Sequence, residues 1–379
     1  MKFDLRYLLV LFIFPFTLLF DRFMYPYFAY QGISYVGIGI IDAIFSAAAL
    51  FSLYFLGSFS DKIGRRKAFA ILMLYQAPFS LIYLKVSNFF QGALSRIFQS
   101  PTYMLFPVMN CYEQDLLKHK TKKKATFFGV LSTITGVAGF FVPLVGGIII
   151  EWFGFFALGV ISFLIGLLFV PLVLYLPDTS RPMNDISLRV RVKFNAINRS
   201  IIKGFSLYYL FTGISVVIVW IWIPFLSLQV TESYGLTGLI LSFSGFFLIF
   251  GRVPFGSLAD KYGKKKAFII AGILSPLSLF LLGISSSLIV LLASSLLASL
   301  SASIRYPAEN AILSDYIKPD DRGGVFSMFG IFTRIGVIIG GILGGVLVTV
   351  YDTSSVFLFA AIFELTAILI FIYSRKIIK

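Results

Sequence analysis

The chain has 379 residues, of which 58% are hydrophobic and only 13% are charged. A soluble domain of this composition would have too little polar surface to cover its core, so the sequence predicts a membrane protein. The single cysteine, Cys111, and the single histidine, His119, exclude an internal disulfide and a zinc site built from Cys and His. The formal net charge of +15 is expected to meet anionic lipid on one membrane face. A nucleic-acid patch at Lys120–Lys124 is the weaker alternative, so no nucleic acid is expected as a partner.

Twelve apolar segments follow one another along the chain, each long enough to cross roughly 30 Å of hydrocarbon. The first continues past Phe20 without a small-residue cleavage site, so it is interpreted as a membrane span and not as a signal peptide. A soluble helical protein with a buried core is the alternative. In chain order, spans 1 to 12 are Tyr7–Tyr30, Ile33–Leu56, Ala68–Leu84, Phe89–Cys111, Phe127–Ile150, Phe153–Leu176, Phe205–Leu228, Leu236–Phe255, Ala267–Ile284, Leu288–Leu313, Val325–Val350 and Ser355–Tyr373.

A twelve-residue pattern occurs twice, about half the chain apart. Gly57–Ala68 (GSFSDKIGRRKA) joins spans 2 and 3, and Gly256–Ala267 (GSLADKYGKKKA) joins spans 8 and 9. A repeat of this kind predicts a membrane transporter built from two related helical halves. The expected domains are an N-terminal six-helix bundle over residues 1–176, a polar linker over 177–203 and a C-terminal six-helix bundle over 204–379.

The distribution of basic residues predicts the orientation of the chain. Most of the 32 lysines and arginines lie at the termini, in the two repeated loops, in the linker and in Lys118–Lys124. Alternating spans place all of these on one side and Lys85 on the other. By the positive-inside rule, both termini are expected in the cytoplasm of a multi-pass plasma-membrane protein.

Three motifs resemble those of the major facilitator superfamily. The two repeated loops match the family's loop signature, and Arg96–Ser100 (RIFQS) in span 4 is similar to its Arg-x-x-Gln-Gly motif. Span 5 is similar to the motif of drug/proton antiporters, with Val142 in place of the glycine expected before the proline; its motif residues are Gly136, Gly139, Pro143, Gly146 and Gly147. The resemblance covers essentially the whole chain. It implies an all-α integral membrane fold of about twelve transmembrane helices in two pseudo-symmetric six-helix bundles.

The repeated loops predict a cytoplasmic gate. Helix starts leave N–H groups free and favour negative charge, so Asp61 is expected to accept hydrogen bonds near Gly323–Phe326 and Asp260 near Ala125–Phe128. The basic residues are expected to pair across the interface between the halves, Arg65 or Arg66 with Asp115 and Lys264 or Lys265 with Asp315. A tight loop carrying solvated charge is the alternative. The gate residues are Gly57, Asp61, Gly64, Arg65, Arg66, Asp115, Gly256, Asp260, Gly263, Lys264 and Asp315.

Ionisable residues inside spans are costly, so each is a candidate for function. Asp21 and Arg22 of span 1, Asp42 of span 2 and Arg96 of span 4 fall at similar depth. The resemblance implies that an acid of span 1 and the arginine of span 4 couple transport to protons. We expect Asp21 or Asp42 to carry the proton, with Arg96 as its partner. A static ion network that only orients helices is the alternative.

A second set of charges lies in the C-terminal half. Arg305 and Glu309 are one turn apart on span 10, and Arg334 of span 11 is at comparable depth. The two arginines are expected to bind an anionic group, with Glu309 closing the pair when the site is empty. A salt bridge of the inner gate is the alternative. Arg22 and Tyr103 complete the expected substrate cavity, and the sequence leaves the place of Glu364 in span 12 undecided.

These features favour a secondary active transporter that works by alternating access. The leading hypothesis is proton-coupled export of small amphipathic organic compounds, and the alternative is uptake or exchange of an organic anion or other small metabolite. A non-transporting membrane sensor or assembly subunit is a third, weaker hypothesis. No enzyme activity, cofactor or metal is expected, because the sequence has no phosphate loop, nucleophile motif or metal-ligand cluster. The expected partners are a small-molecule substrate, protons and the lipid bilayer, and the chain is expected to be monomeric.

Overall fold

The computed structural model describes residues 4–56, 59–117, 124–178, 199–250, 253–316 and 322–373. The elements in these ranges are helices, with no strand among them. Within the same ranges, seven helices are long and apolar enough to cross a membrane. This number is smaller than twelve because spans 1, 3, 4 and 8 are interrupted and spans 5 and 6 form one long element. The all-α prediction is therefore confirmed.

Span 1 is interrupted where its charged residues lie. It consists of the helix Leu5–Ile13, the 3₁₀ turns Phe14–Leu18 and Phe20–Arg22, and the helix Met24–Tyr30. Pro15 stands at the start of the first 3₁₀ turn, where it removes a backbone donor. The 3₁₀ geometry then continues through Asp21 and Arg22, so these side chains project from irregular backbone.

Spans 2 to 6 contain regular helices with several breaks, the first of them in span 3 between Gln76 and Phe79. Pro101 lies in the 3₁₀ turn that divides span 4, and Gly154, with φ of 76°, divides the longest element into spans 5 and 6. The elements are Tyr35–Leu56, Phe59–Ile63, Arg65–Gln76, Phe79–Tyr83, Phe89–Gln99, the 3₁₀ turn Ser100–Met104, Leu105–Leu117 and Lys124–Leu174.

Spans 7 to 12 are mostly long continuous helices, and span 8 is the interrupted one. They are Arg199–Thr231, Tyr234–Phe243, the 3₁₀ turn Phe246–Phe250, Val253–Tyr262, Lys264–Gly283, Leu288–Tyr316, Arg322–Val350 and Thr353–Tyr373.

Residue contacts divide the chain into two compact units. Unit 1 comprises Met1–Ser34, Ile44–Leu188 and Ser233–Ser242, and unit 2 comprises Tyr35–Ala43, Arg189–Glu232 and Phe243–Lys379. Each sequence half therefore contributes a short segment to the unit formed mainly by the other half. The boundaries 1–176, 177–203 and 204–379 stay a prediction, because most of the linker lies outside the described residues.

Each unit has its own aromatic-rich core. In unit 1, Lys124–Leu174 packs against Arg65–Gln76, and Phe69 makes edge-to-face contacts with Phe14 and Phe169. Such pairs stabilise a core beyond the area that they bury.

In unit 2, Arg199–Thr231 packs against Arg322–Val350 and Thr353–Tyr373. Phe371 lies at the centre of this core, where its ring contacts Phe205 and Phe268.

Glycines of span 11 allow close backbone contact within unit 2. A Cβ at Gly39 would lie 2.1 Å from the carbonyl oxygen of Gly341, and one at Gly345 would lie 2.6 Å from that of Tyr35. The start of span 2 therefore packs directly on span 11, because these glycines have no side chain to keep the backbones apart. Gly336 belongs to a different contact, because its Cβ would meet the backbone of span 7.

Candidate functional site

Arg96 is the centre of a buried polar cluster in unit 1. Its side chain is only 6% exposed, and its guanidinium lies over the ring of Phe45, 3.5 Å from the centroid. It donates hydrogen bonds to Oε1 of Gln99 and, over 3.2 Å, to the hydroxyl of Tyr25. A guanidinium can be buried here because Nη1 and Nη2 both donate hydrogen bonds and the face of the group contacts an aromatic ring.

Two glutamine amides connect Arg96 to Asp21. Oε1 of Gln99 accepts hydrogen bonds from Arg96 and from the hydroxyl of Tyr83, while its Nε2 donates to Oε1 of Gln76 over 3.2 Å. Nε2 of Gln76 in turn donates to Oδ2 of Asp21 over 3.5 Å. Asp21 also interacts electrostatically with Arg96. We name Asp21, Gln76, Tyr83, Arg96 and Gln99 the Asp21 cluster.

The other residues expected near this cluster have separate positions. Arg22 interacts electrostatically with Asp21, and Tyr103 is half-buried in the 3₁₀ turn of span 4. Asp42 is buried but belongs to unit 2, where its carboxylate lies 3.9 Å from the position of a Cβ on Gly341. A role of Asp42 with Arg96 stays a prediction, as do substrate contacts of Arg22 and Tyr103.

Unit 2 contains a second buried cluster, in which Arg305 forms an ion pair with Glu364. Oε1 of Glu364, the oxygen of that pair, also accepts a hydrogen bond of 3.0 Å from the hydroxyl of Ser275. Glu364 is 4% exposed, so this residue of span 12 lies inside unit 2. We name Ser275, Arg305, Glu309, Glu364 and their neighbour Tyr209 the Glu364 cluster.

This arrangement corrects the partner expected for Arg305. The sequence assigns Glu309 to close the pair, whereas the ion pair is made by Glu364, and Glu309 accepts a hydrogen bond from the hydroxyl of Tyr209. The reason is tertiary, since span 12 packs against span 9 and carries Glu364 into the unit. Arg334 is half-buried on Arg322–Val350, and its binding of an anion with Arg305 stays a prediction.

Each repeated loop turns at a glycine. Gly64 has φ of 92° and Gly263 has φ of 100°, and each directly precedes a helix, Arg65–Gln76 or Lys264–Gly283. L-residues rarely adopt such φ values, so the motif needs glycine at this position for the change in chain direction. The sequence showed this signal as a glycine immediately before the basic run in both copies.

Arg65 makes the expected contact with Asp115. Its Nε lies 3.5 Å from Oδ2 of Asp115, and its Nη1 donates to the hydroxyl of Ser60 over 2.5 Å. The expected placement of this pair across the interface between the halves is wrong, because both residues belong to unit 1. Arg65–Gln76 packs against Leu105–Leu117 in that unit, which brings the two side chains together.

Arg66 contacts the end of span 6. Its Nη1 donates to the carbonyl oxygen of Leu176 over 3.0 Å, and its Nη2 lies 3.3 Å from Oδ2 of Asp178. Arg6 donates to the carbonyl oxygen of Tyr175 over 3.5 Å. Two cations thus meet carbonyl groups at a helix C-terminus, where the helix dipole favours positive charge.

The remaining gate contacts lie outside the described residues. Gly57 is not described, and neither are the side chains of Asp61, Asp260 and Asp315 or the environment of Gly256. The contacts expected for the two motif aspartates, and the pairing of Lys264 or Lys265 with Asp315, therefore stay predictions. The same applies to the gate as a whole.

The span 5 motif brings the helix Tyr234–Phe243 into unit 1. A Cβ at Gly147 would lie 2.2 Å from the carbonyl oxygen of Tyr234, and one at Gly146 would lie 2.9 Å from the ring of Phe23. A Cβ at Gly238 would in turn lie 2.3 Å from the carbonyl oxygen of Pro143. These motif residues therefore allow two backbones to touch.

Other members of the motif have different surroundings. A Cβ at Gly139 would meet nothing within 4 Å, and Gly136 lies one turn earlier in the same helix. Beyond the motif, Oε2 of Glu151 accepts hydrogen bonds from the backbone N–H groups of Tyr234, over 2.6 Å, and of Gly235, over 3.2 Å. The carboxylate thus satisfies N–H groups that a helix start leaves free.

Sequence reasoning missed Gln76, Tyr83 and Glu151. Gln76 is a polar side chain inside a mainly apolar span. Charged residues inside spans were treated as functional candidates because they are costly there, and the same argument extended to amides would have found Gln76. Tyr83 and Glu151 lie at or beyond span ends, where polar residues are common. Their sequence positions therefore carried no signal.

The major facilitator superfamily model matches residues 8–230 and 205–377 of this sequence. The chain belongs to the major facilitator superfamily. As a member of this transporter superfamily with several long apolar helices, it is an integral membrane protein.

Stretches of this superfamily member are similar to characterised transporters. It is 27% identical over 164 residues to a Na⁺, Li⁺, K⁺/H⁺ antiporter of Planococcus maritimus. This alignment covers 41% of this chain and 39% of the antiporter. It is 29% identical over 146 residues to the quinolone resistance protein NorB of Staphylococcus aureus. That alignment covers 38% of this chain and 32% of NorB. Each alignment spans well under two thirds of the relative.

A solved structure shows the same fold over the whole length. The crystal structure of a mutant of the nucleoside transporter NupG superposes with a TM-score of 0.82 and 17% identity. The superposition covers 98% of this chain and 100% of the NupG chain.

Proposed function

We propose that this protein is a secondary active transporter that exports small amphipathic organic compounds in exchange for protons. The observation that carries the proposal is the hydrogen-bonded path from Asp21 through Gln76 and Gln99 to Arg96. A proton on Asp21 would remove the charge that attracts Arg96 and the acceptor that holds Gln76. Because amides can both donate and accept, the two glutamines can then turn over, which breaks the hydrogen bond from Arg96 to Gln99, since a guanidinium can only donate.

The path gives protonation a structural consequence away from the carboxylate. Arg96 is held by Gln99, Tyr25 and the Phe45 ring, which belong to three different spans. A change at Gln99 therefore alters how spans 1, 2 and 4 contact one another. Such a change is what alternating access requires of a coupling site.

Export is supported by similarity over part of the chain to an antiporter and to a quinolone resistance protein, and by the span 5 motif. We further propose a monomer in the plasma membrane with both termini in the cytoplasm. Its partners would be a small-molecule substrate, protons and lipid, and it would catalyse no chemical reaction. The concentration of basic side chains in the loops predicted to face inside supports this orientation.

The alternative function, uptake or exchange of an organic anion, also has an observation in its favour. Arg22 and Arg96 act on the same carboxylate, Asp21, so these three residues carry one more positive than negative formal charge. An anionic substrate could balance this excess. The two functions differ in driving force. Proton-coupled export responds to a pH gradient when no anionic solute is present, whereas uptake or exchange of an organic anion needs that anion.

Asp21→Asn tests the proposal because asparagine imitates a permanently protonated aspartate. In proteoliposomes screened with a library of amphipathic compounds, the variant is expected to lose accumulation driven by a pH gradient, by about tenfold or more. Exchange of labelled for unlabelled substrate without a gradient is expected to remain, since binding does not need the proton. Flux is measured from intravesicular pH and from labelled substrate.

Asp352→Asn is the matched control, because this substitution removes the same charge at a position outside the spans. It is expected to accumulate substrate like the unmodified protein. If Asp21→Asn still accumulates substrate against its gradient, Asp21 is not the proton carrier, and Asp42→Asn tests the other candidate of the sequence. Equal loss of binding, exchange and accumulation would indicate a static structural network instead.

A further inference from the structure

A groove on the surface of unit 1 lies between spans 3 and 4. Its volume is about 550 Å³, within the range of small-molecule pockets. Span 3 lines it with residues that recur at the spacing of one helix face, among them Ile71, Leu74, Pro78 and Ile82, and span 4 lines it with Phe98. All of these residues belong to unit 1. We name this surface the span 3–4 groove.

The span 3–4 groove presents apolar side chains to the surroundings of the protein. Leu74 is 50% exposed and Phe98 is 58% exposed. Two of the described lining residues carry hydroxyl groups, and both hydroxyls donate to backbone. Tyr75 donates to the carbonyl oxygen of Phe98 over 2.5 Å, and Ser95 donates to that of Gly92 over 2.7 Å. The surface left for a ligand is therefore suited to hydrocarbon.

The length of the groove corresponds to one leaflet of a bilayer. From Ile71 to Ile82 it follows span 3 for roughly 16 Å, at about 1.5 Å per residue. Half of the hydrocarbon core, which is roughly 30 Å thick, has nearly the same depth. Ile82 lies near the end of span 3 that is opposite to the repeated loop, so the groove begins close to one membrane surface. It can hold an acyl chain of a lipid in that leaflet.

A cation stands where the head group of such a lipid would lie. Lys85 is exposed, and its backbone N–H donates to the carbonyl oxygen of Ile82 over 3.0 Å, which fixes it one turn beyond the groove. Within the residues that the structure describes, no carboxylate forms an ion pair with Lys85. An ammonium group at the membrane surface attracts the phosphate of a negatively charged lipid.

We propose that the span 3–4 groove binds one anionic phospholipid, with an acyl chain along span 3 and the phosphate group at Lys85. In the proposed orientation of the chain, this lipid belongs to the outer leaflet. The groove lies behind the Asp21 cluster, because Gln76 and Gln99 directly follow Tyr75 and Phe98 in the sequence and are buried. The bound lipid therefore supports the two helix segments that carry these glutamines.

Photo-crosslinking with a phospholipid of defined head group tests the site. The purified protein is placed in phosphatidylcholine nanodiscs that contain phosphatidylglycerol with a diazirine in one acyl chain, and the labelled residues are mapped by mass spectrometry. Labels are expected to concentrate on the span 3–4 groove. Unlabelled phosphatidylglycerol is expected to compete about fivefold better than phosphatidylcholine with the same acyl chains, as one lysine at a membrane surface implies.

Two variants separate the head group from the acyl chain. Lys85→Gln is expected to abolish the fivefold preference, whereas Lys203→Gln removes the same charge from an exposed position of span 7 and is expected to keep it. Leu74→Trp is expected to fill the groove and to reduce its labelling severalfold. Leu168→Trp, at an exposed position of span 6, is the matched control and is expected to leave that labelling unchanged. All four positions are exposed, so the variants are expected to fold.

Labels spread evenly over the exposed faces of all spans would overturn the proposal, as would equal competition by the two lipids. Crosslinks from the groove to a second copy of the chain would overturn it too, because a protein would then cover the surface. An unchanged preference in Lys85→Gln would contradict the place of the phosphate. The measurement needs no transported substrate, so it is independent of the proposed coupling at Asp21.

Discussion

Asp352 shows how one side chain outside the spans contributes to stability. It precedes the helix Thr353–Tyr373, and its Oδ1 accepts a hydrogen bond of 2.6 Å from the backbone N–H of Ser355. This is the contact of an N-cap residue, which satisfies an N–H group at the start of a helix. Hydrogen bonds from the side chain and the backbone of Ser355 lower the pKa of the Asp352 carboxyl below its ordinary value.

We predict that Asp352→Ala destabilises the folded protein by about 1 kcal/mol, whereas Asp352→Asn, which keeps the cap, has a small effect. Because the pKa is lowered in the folded state, the carboxylate contributes its full stabilisation above its ordinary pKa of about 3.9. This contribution is lost as the pH falls through the lowered value. Thermal unfolding in detergent at a series of pH values measures both effects, and an equal pH dependence in Asp352→Asn would contradict the assignment.

At the same scale, the sequence identified the charged members of both clusters and missed most of their partners. Asp21, Arg96 and Arg305 were found because charges are costly inside apolar spans. Which neighbour each one meets depends on how the helices are rotated. Sequence spacing therefore suggested Glu309 for Arg305, although the ion pair is made by Glu364, which comes from another span.

The helix Lys124–Leu174 offers a matched pair of glycines in one motif. Gly147 touches the backbone of Tyr234, whereas Gly139 has no atom within 4 Å of a Cβ position. We predict that Gly147→Ala destabilises the protein and lowers flux, because neither backbone can move aside without separating the helices. We predict that Gly139→Ala is neutral or stabilising by up to about 1 kcal/mol, since alanine is the better helix former.

Thermal unfolding and proteoliposome flux measured on both variants check this pair. Equal behaviour of the two variants would show that the motif acts through helix flexibility and not through the contact with Tyr234. A Gly147→Ala variant as stable as the unmodified protein would contradict the packing argument.

Among elements, the apolar length of each segment predicted where the helices lie, and the described helices fall within or around all twelve spans. The 3₁₀ turns that interrupt some of these spans were not predicted. Prolines disturb helices in general, but the 3₁₀ turns that contain Pro15 and Pro101 also depend on packing and on the polar groups nearby. The break at Phe20–Arg22 contains no proline, so no single residue signalled it.

At the scale of the molecule, neither unit is built from one sequence half. Unit 1 includes Ser233–Ser242, and unit 2 includes Tyr35–Ala43. We predict that a fragment ending within residues 179–198 is cleaved by protease faster when it is produced alone than when it is produced together with the rest of the chain. Limited proteolysis in membranes measures this. Equal resistance of the two preparations would mean that unit 1 does not need Ser233–Ser242.

The contact of Gly147 with Tyr234 also has a consequence for biosynthesis. Translation proceeds from the N-terminus, so spans 1 to 6 are made before the segment that completes unit 1 exists. Until Tyr234–Phe243 has been synthesised, the glycine face of span 5 has no helix to pack on, and the N–H groups that Glu151 will bind are absent. Nascent unit 1 can therefore reach its final packing only after span 8 has been synthesised.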